Sequence, residues 1–256
     1  MGDIRPEQSA RGSIELILVR HGESQGNVAA SNAALSGAEV IAVPARDADV
    51  GLSGIGEEQA AGLGRSLAQL PVSERPDAIW CSPYVRARRT AEIAAATAGW
   101  TVPILIDERL RDRELGILDR LTTLGVERRF PEEAQRRRWL GKFYYRPPGG
   151  ESWADVALRL RTVLPALENP AGPRRVLLVS HDAVILLLRY LLDGLTEQEL
   201  LGLASTTTIL NASLTRYARP DGHGPWTLES FNVAEHLTEQ GVTVTEHGSD
   251  ADVRPR

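Results

Sequence analysis

Two histidines each follow a run of apolar residues: His21 ends "LILVRH" and His181 ends "LLVSH". Arg20 stands beside the first. A third such run, "AIWCSP", precedes a segment carrying Arg86, Arg88 and Arg89. Guanidinium forks match the oxygens of a phosphate, and a neutral imidazole can serve as nucleophile or base. A single histidine at a strand end is ordinarily a satisfied polar residue. Two of them, with Arg20 and an arginine-bearing helix start, form a combination that chance seldom makes, and it points to a pocket for negative charge. Metal chemistry fits poorly, because there is no H-E-x-x-H, no close histidine pair and no second cysteine. "GLSGIG" at 51–56 lacks the G-x-G-x-x-G spacing and reads as a turn and cap, and no P-loop pattern is present.

These side chains need elements to hold them. Residues 14–19, "IELILV", read as a buried strand, as do 78–82, 103–107 and "RVLLVS" at 175–180. Ser53 is placed to cap a helix over about 54–70. Ser82 as cap and Pro83 at the first helical position start another, through about 98. Residues 127–140 form a basic helical stretch. Ser152 and Asp155 make a capping-box pattern ahead of a helix burying Trp153, Val156 and Leu160, which Pro165 bends or ends. A helix spans 183–193, and "TTILNASLTRY" and "WTLESFNV" read as two closing strands. Residues 28–50 have no clear period and read as a partly helical excursion. Strands alternating with helices give an α/β fold, a three-layer sandwich with a mostly parallel central sheet flanked by helices. Ligands in such sheets bind beyond the carboxyl ends of the strands, where both histidines fall.

The chain has 256 residues, 42% apolar and 25% charged, with a formal net charge of −5. One domain of this size buries a sizeable core. The reading is an arm over 1–12, one domain over 13–244 and a tail over 245–256. The negative balance argues against a nucleic-acid or membrane-surface partner. The first twelve residues hold no apolar signal segment, and the apolar stretch at 183–195 is interrupted by Arg189 and too short to span a bilayer. The single cysteine, Cys81, forms no internal disulfide, which fits a reducing, cytoplasmic setting.

"LVRHGESQGN" resembles the signature of the histidine phosphatase superfamily, which includes the phosphoglycerate mutases, and the likeness continues in order. "GLSGIGEEQA", "CSPYVRARRTAE", "LRDRELGILDRLT" and "VLLVSHDAV" each resemble a segment of that family, over about residues 14–195. The resemblance implies a phosphoglycerate mutase-like fold and a phosphohistidine formed on His21. Arg20, Arg86 and His181 would hold the phosphoryl oxygens, Asn27 would add a donor, and Gly22 would let the backbone approach the phosphate. It implies no metal and no cofactor. The acid that protonates the leaving oxygen would be Asp112, four residues before Gly116, where the family usually has Glu. Glu114 is the second candidate and Asp182 the third, with Asp182 otherwise a substrate contact.

"GKFYYRPPGGES" and "FPEEA" are similar to segments of the fructose-2,6-bisphosphatases. That likeness implies a second-phosphate site at Arg138 and Lys142. Against it, Asp182 and Leu186 stand where that branch carries Gln and Arg, and Leu124 where it carries a substrate-binding Tyr. The implied activity is metal-independent hydrolysis of small phosphate esters, sugar phosphates or bisphosphates. The alternatives are a phosphoglycerate mutase-type phosphotransferase and a non-catalytic phospho-ligand module. The partner is a small phosphorylated metabolite, and a homodimer is left open.

Overall fold

The computed structural model describes residues 12–43, 46–169 and 171–247. Most of the expected arm and residues 248–256 of the expected tail lie outside them. Six strands form one sheet: β1 (Glu15–Arg20), β2 (Ala78–Cys81), β3 (Ile104–Ile106), β4 (Arg175–Ser180), β5 (Leu214–Ala218) and β6 (Thr227–Val233), in the order β3-β2-β4-β1-β5-β6. The first four run parallel, while β5 and β6 are antiparallel additions at one side. The expected α/β sandwich is therefore present.

The period-two pattern of β1 builds the layers. Leu16 and Leu18 face one side of the sheet, joined by Trp80, Val176 and Leu178, and pack on α6 (Trp153–Arg161) and α8 (Asp182–Leu192). Ile17 and Val19 face the other side, with Ile79, Leu177 and Val179, and pack on α2 (Gly54–Ala68) and α3 (Val85–Ala98). Covered on both faces, the parallel strands read as unbroken apolar runs. Among the described residues no helix is long and apolar enough to cross a membrane.

Several elements differ from the sequence reading. Residues 28–50 are partly helical as read, but their helix, α1 (Gln25–Ser36), begins ahead of them at a capping box between Ser24 and Asn27. The basic stretch is two helices, α4 (Thr123–Arg129) and α5 (Pro131–Tyr144), broken where Phe130 precedes a proline. α6 stops at Arg161, and Pro165 falls in the first turn of a separate short α7 (Leu164–Glu168). α3 begins at Val85 rather than Pro83 and has no side-chain cap; the Ser82 hydroxyl takes the Tyr84 N–H at 3.3 Å and also meets His181. Of "TTILNASLTRY" only the last residues are strand. Residues 245–247, read as tail, are hydrogen bonded into the domain: Thr245 to Gln59 and Asn211, and His247 to Glu23 and Ser31. The remaining helices are α9 (Glu197–Thr206) and α10 (Glu235–Thr238).

Candidate active site

The parallel pairing of β1 with β4 sets Arg20 opposite Ser180, so the next residue of each strand, His21 and His181, emerges at the same edge. Their rings lie edge to face with centroids 5.2 Å apart. The backbone N–H of His21 donates to the Ser180 carbonyl at 2.9 Å. β2 is the next parallel neighbour of β4, and it delivers Ser82, whose hydroxyl meets His181 Nε2 at 2.8 Å.

His21 is buried, and its Nδ1 lies 2.6 Å from the Gly22 carbonyl. A carbonyl only accepts, so Nδ1 carries the proton and Nε2 keeps a lone pair. Arg86 Nε donates to that Nε2 at 3.2 Å. Burial, then the charges of Arg86, His181 and Arg20, hold the imidazole well below its usual range, and the ring is neutral. A buried neutral imidazole with a lone pair aimed among cations suits a nucleophile toward phosphorus.

Arg86 gathers carboxylates as well. Its NH1 and NH2 fork onto the Asp47 carboxylate at 3.1 and 2.8 Å, and NH2 also reaches Asp112 Oδ2 at 2.9 Å. Asp112 Oδ2 stands 3.2 Å from His181 Nδ1. Burial alone would raise the Asp112 carboxyl, but His181 and then Arg86 outweigh it and hold the group well below the usual carboxylate range. The two carboxylates thus occupy donors that a phosphoryl group would otherwise use.

Arg20 is 1% exposed and is held from behind. Its guanidinium donates to the Ile209 carbonyl and, at 2.7 Å, to the carbonyl of His247. Its Nε is buried and has no hydrogen-bond partner among the described residues. An unmet buried donor is costly unless a ligand supplies the acceptor.

A cavity of about 450 Å³ opens over these groups and is bordered by Arg20, His21, Asn27, Arg86, Asp112 and Asp182. Six of the residues expected from the sequence are thereby brought together. Asn27 spends Oδ1 on the Ser24 N–H, leaving its NH₂ as the donor. Asp182 opens α8 and takes the Ala183 N–H. Glu114, Arg138 and Lys142 lie away from the cavity. Glu114 does not border this cavity; it accepts from the Tyr84 hydroxyl at 2.8 Å beside a separate depression. Arg138 is exposed and stands 4.0 Å from Glu127, and Lys142 lies over the Trp153 ring, so neither reaches the site. A helix turning once per 3.6 residues cannot aim every cation of a basic run the same way. Gly22 packs closely on the start of α2. A Cβ there would sit 2.5 Å from the Gly56 carbonyl, and one at Gly56 would sit 1.9 Å from that of Glu23.

Sequence reasoning missed Asp47, the Ser82 contact with His181, and the Ile209 and His247 carbonyls. Ser82 stood in a quoted motif but was read as a cap. Asp47 lies in an aperiodic stretch, and backbone carbonyls leave no trace in residue type.

The sequence model of the histidine phosphatase superfamily (branch 1) matches residues 16–234. A 2,3-bisphosphoglycerate-dependent phosphoglycerate mutase of Methylobacterium radiotolerans is 32% identical over 211 residues, which are 78% of this chain and 91% of that one. A 6-phosphofructo-2-kinase/fructose-2,6-bisphosphatase of Caenorhabditis elegans is 37% identical over 110 residues, 42% of this chain and 22% of that one. The structure of a mycobacterial glucosyl-3-phosphoglycerate phosphatase superposes with a TM-score of 0.66 at 26% identity, covering 86% of this chain and 99% of that one. With the arginine–histidine site at its sheet edge, the chain belongs to the histidine phosphatase superfamily.

Proposed function

We propose that the protein is a metal-independent phosphatase that hydrolyses small phosphate monoesters through a phosphohistidine on His21. The observation that carries this reading is the neutral His21 Nε2, held 3.2 Å from Arg86 Nε with the Asp112 carboxylate beside it. In the first step Nε2 attacks phosphorus while the ester P–O bond breaks. Arg20 and Arg86 take the charge on the equatorial oxygens, while His181 stays between Ser82 and Asp112. The leaving oxygen receives its proton from Asp112, which the incoming phosphate dianion makes easier to protonate. In the second step Asp112, now a carboxylate, accepts a proton from water. The hydroxide attacks phosphorus, the P–N bond breaks, and inorganic phosphate leaves.

The mutase-named relative supports a second reading, in which the phosphoryl group passes back to a bound phosphoglycerate instead of to water. One assay separates them. The wild-type chain is given phosphate monoesters in EDTA, and both phosphate release and conversion of 3-phosphoglycerate to 2-phosphoglycerate are followed. The expected result is release that disappears, together with the acid-labile phosphoenzyme, in His21→Ala. Isomer exchange faster than release would establish the mutase, and turnover surviving in His21→Ala would refute the phosphohistidine.

A further inference from the structure

Beyond the phosphate end, the cavity changes character. One wall is the inner face of α1, where Ala30, Ala33, Ala34 and Gly37 recur at helical spacing and leave room beside the backbone. The opposite wall is built from the segment after the acid loop, with Leu118, Leu121 and Leu124. Ile41 and Val43 close one end. The α1 wall from Ala30 to Gly37 offers no charge or hydroxyl to a second phosphate or a polyol, while Thr122 and Thr123 stand among the leucines of the opposite wall. Arg113 borders the cavity but donates to the carbonyls of Glu151 and Tyr145. Arg138 and Lys142, the cations expected to take a second phosphate, are turned elsewhere. Asp119, Arg120 and Arg137 also reach the border, so the apolar chamber has a charged margin. A sugar's hydroxyls turned toward the alanines of α1 would lose their water without replacement. A cavity of about 450 Å³ also lies within the ~300–1,000 Å³ that accommodates ligands larger than a three-carbon acid.

We infer that the substrate is the phosphate monoester of an apolar alcohol, its hydrocarbon chain or ring lying between α1 and the 118–124 segment. The inference rests on the phosphatase reading and names the substrate class for that same site. Leu124, which stands where the fructose-2,6-bisphosphatases carry a tyrosine, then contacts the leaving group as a hydrophobe. Asp112 meets an alkoxide, the leaving group most in need of a proton.

The test is a chain-length series. Primary n-alkyl phosphates from ethyl to octyl share nearly one leaving-group basicity, so differences among them report binding of the chain. With the purified full-length protein, kcat/KM is expected to rise about fourfold per methylene, the equivalent of ~0.8 kcal/mol, until the chamber is full. Octyl phosphate is expected to exceed 3-phosphoglycerate and fructose-2,6-bisphosphate. Ala34→Phe, which fills the chamber from α1, is expected to lower the octyl-to-ethyl ratio. A flat series, or a phosphoglycerate or sugar bisphosphate preferred over octyl phosphate, overturns the substrate class and leaves His21-dependent hydrolysis standing. No His21-dependent release from any ester, and no phosphoenzyme, overturns the phosphatase reading and this inference with it.

Discussion

At the scale of single residues, the site is a contest for Arg86. Asp47 and Asp112 hold its guanidinium before any substrate arrives, and Asp47, the more exposed, is the one a phosphate can displace without disturbing the acid. A half-exposed ion pair is worth about 0.2–1 kcal/mol. Asp47→Ala should therefore tighten competitive inhibition by inorganic phosphate by up to about fivefold. Weaker inhibition in the variant would show instead that Asp47 positions the arginine. The pH dependence follows from the depressed groups. Unfolded, His21 takes up a proton near 6.5 and Asp112 near 3.8, while the folded groups resist until lower pH. The unfolded state binds more protons, so both contributions shrink as pH falls, His21 first, below 6.5. Urea midpoints measured from pH 7 to 5 should drop more steeply for wild type than for His21→Asn. The same shift keeps His21, the proposed nucleophile, neutral, so kcat/KM for an aryl phosphate should show no acid limb at 6.5. His21, His181, Arg20 and Arg86 were legible because their types and neighbours were distinctive. Asp47 was not, since nothing in "ARDADVG" marks one aspartate as facing an arginine that is 39 residues away.

At the scale of elements, the start of α2 is wedged against the turn that carries His21. Ser53 caps the helix by accepting the Gly56 N–H, and its hydroxyl donates to Glu23 Oε1 at 2.6 Å. Glu23 N–H in turn reaches Gln59 on the same helix. The close approach depends on the absence of a side chain at 56. Gly56→Ala should destabilise the fold by about 1–3 kcal/mol through overpacking against backbone that cannot yield. Gly54→Ala, where a Cβ meets nothing within 4 Å, should be neutral or mildly stabilising. Thermal or urea unfolding of the two variants checks this, and equal effects would mean that the turn relaxes. The sequence made this helix and its cap readable, as it did the four parallel strands, because caps and apolar runs are local signals. It misplaced the start of α3 because a serine before a proline reads as a cap, whereas here Tyr84 stays extended and the helix starts after it. It divided the basic stretch wrongly because charge says little about where a helix breaks.

At the scale of the whole molecule, the first strand is completed by residues far along the chain. Arg20 is fixed by the Ile209 carbonyl 189 residues away and the His247 carbonyl 227 residues away, and Asn211 Nδ2 donates to the carbonyl of His21. Ending the chain at Glu246 should leave the sheet and its far-ultraviolet dichroism intact, while KM for any monoester rises as Arg20 loses its hold. Unchanged kinetics would assign Arg20's placement to Ile209 alone. The sheet order adds to this distance, because β1 lies between β4 and β5, both of which follow it by more than half the chain. None of these ties could be read in advance, since carbonyl partners and strand order are properties of the finished fold. They set a timetable for biosynthesis. At about 5–20 residues per second, the 227 residues between Arg20 and His247 take roughly 11–45 s to translate. During that interval the nascent chain carries its signature motif while Arg20 lacks part of its hold, and its central apolar strand gains its neighbours only as β4 and β5 are made. A product stalled before residue 209 thus lacks both carbonyls that hold Arg20, and the order of its site waits on residues synthesised at least 189 positions after that arginine.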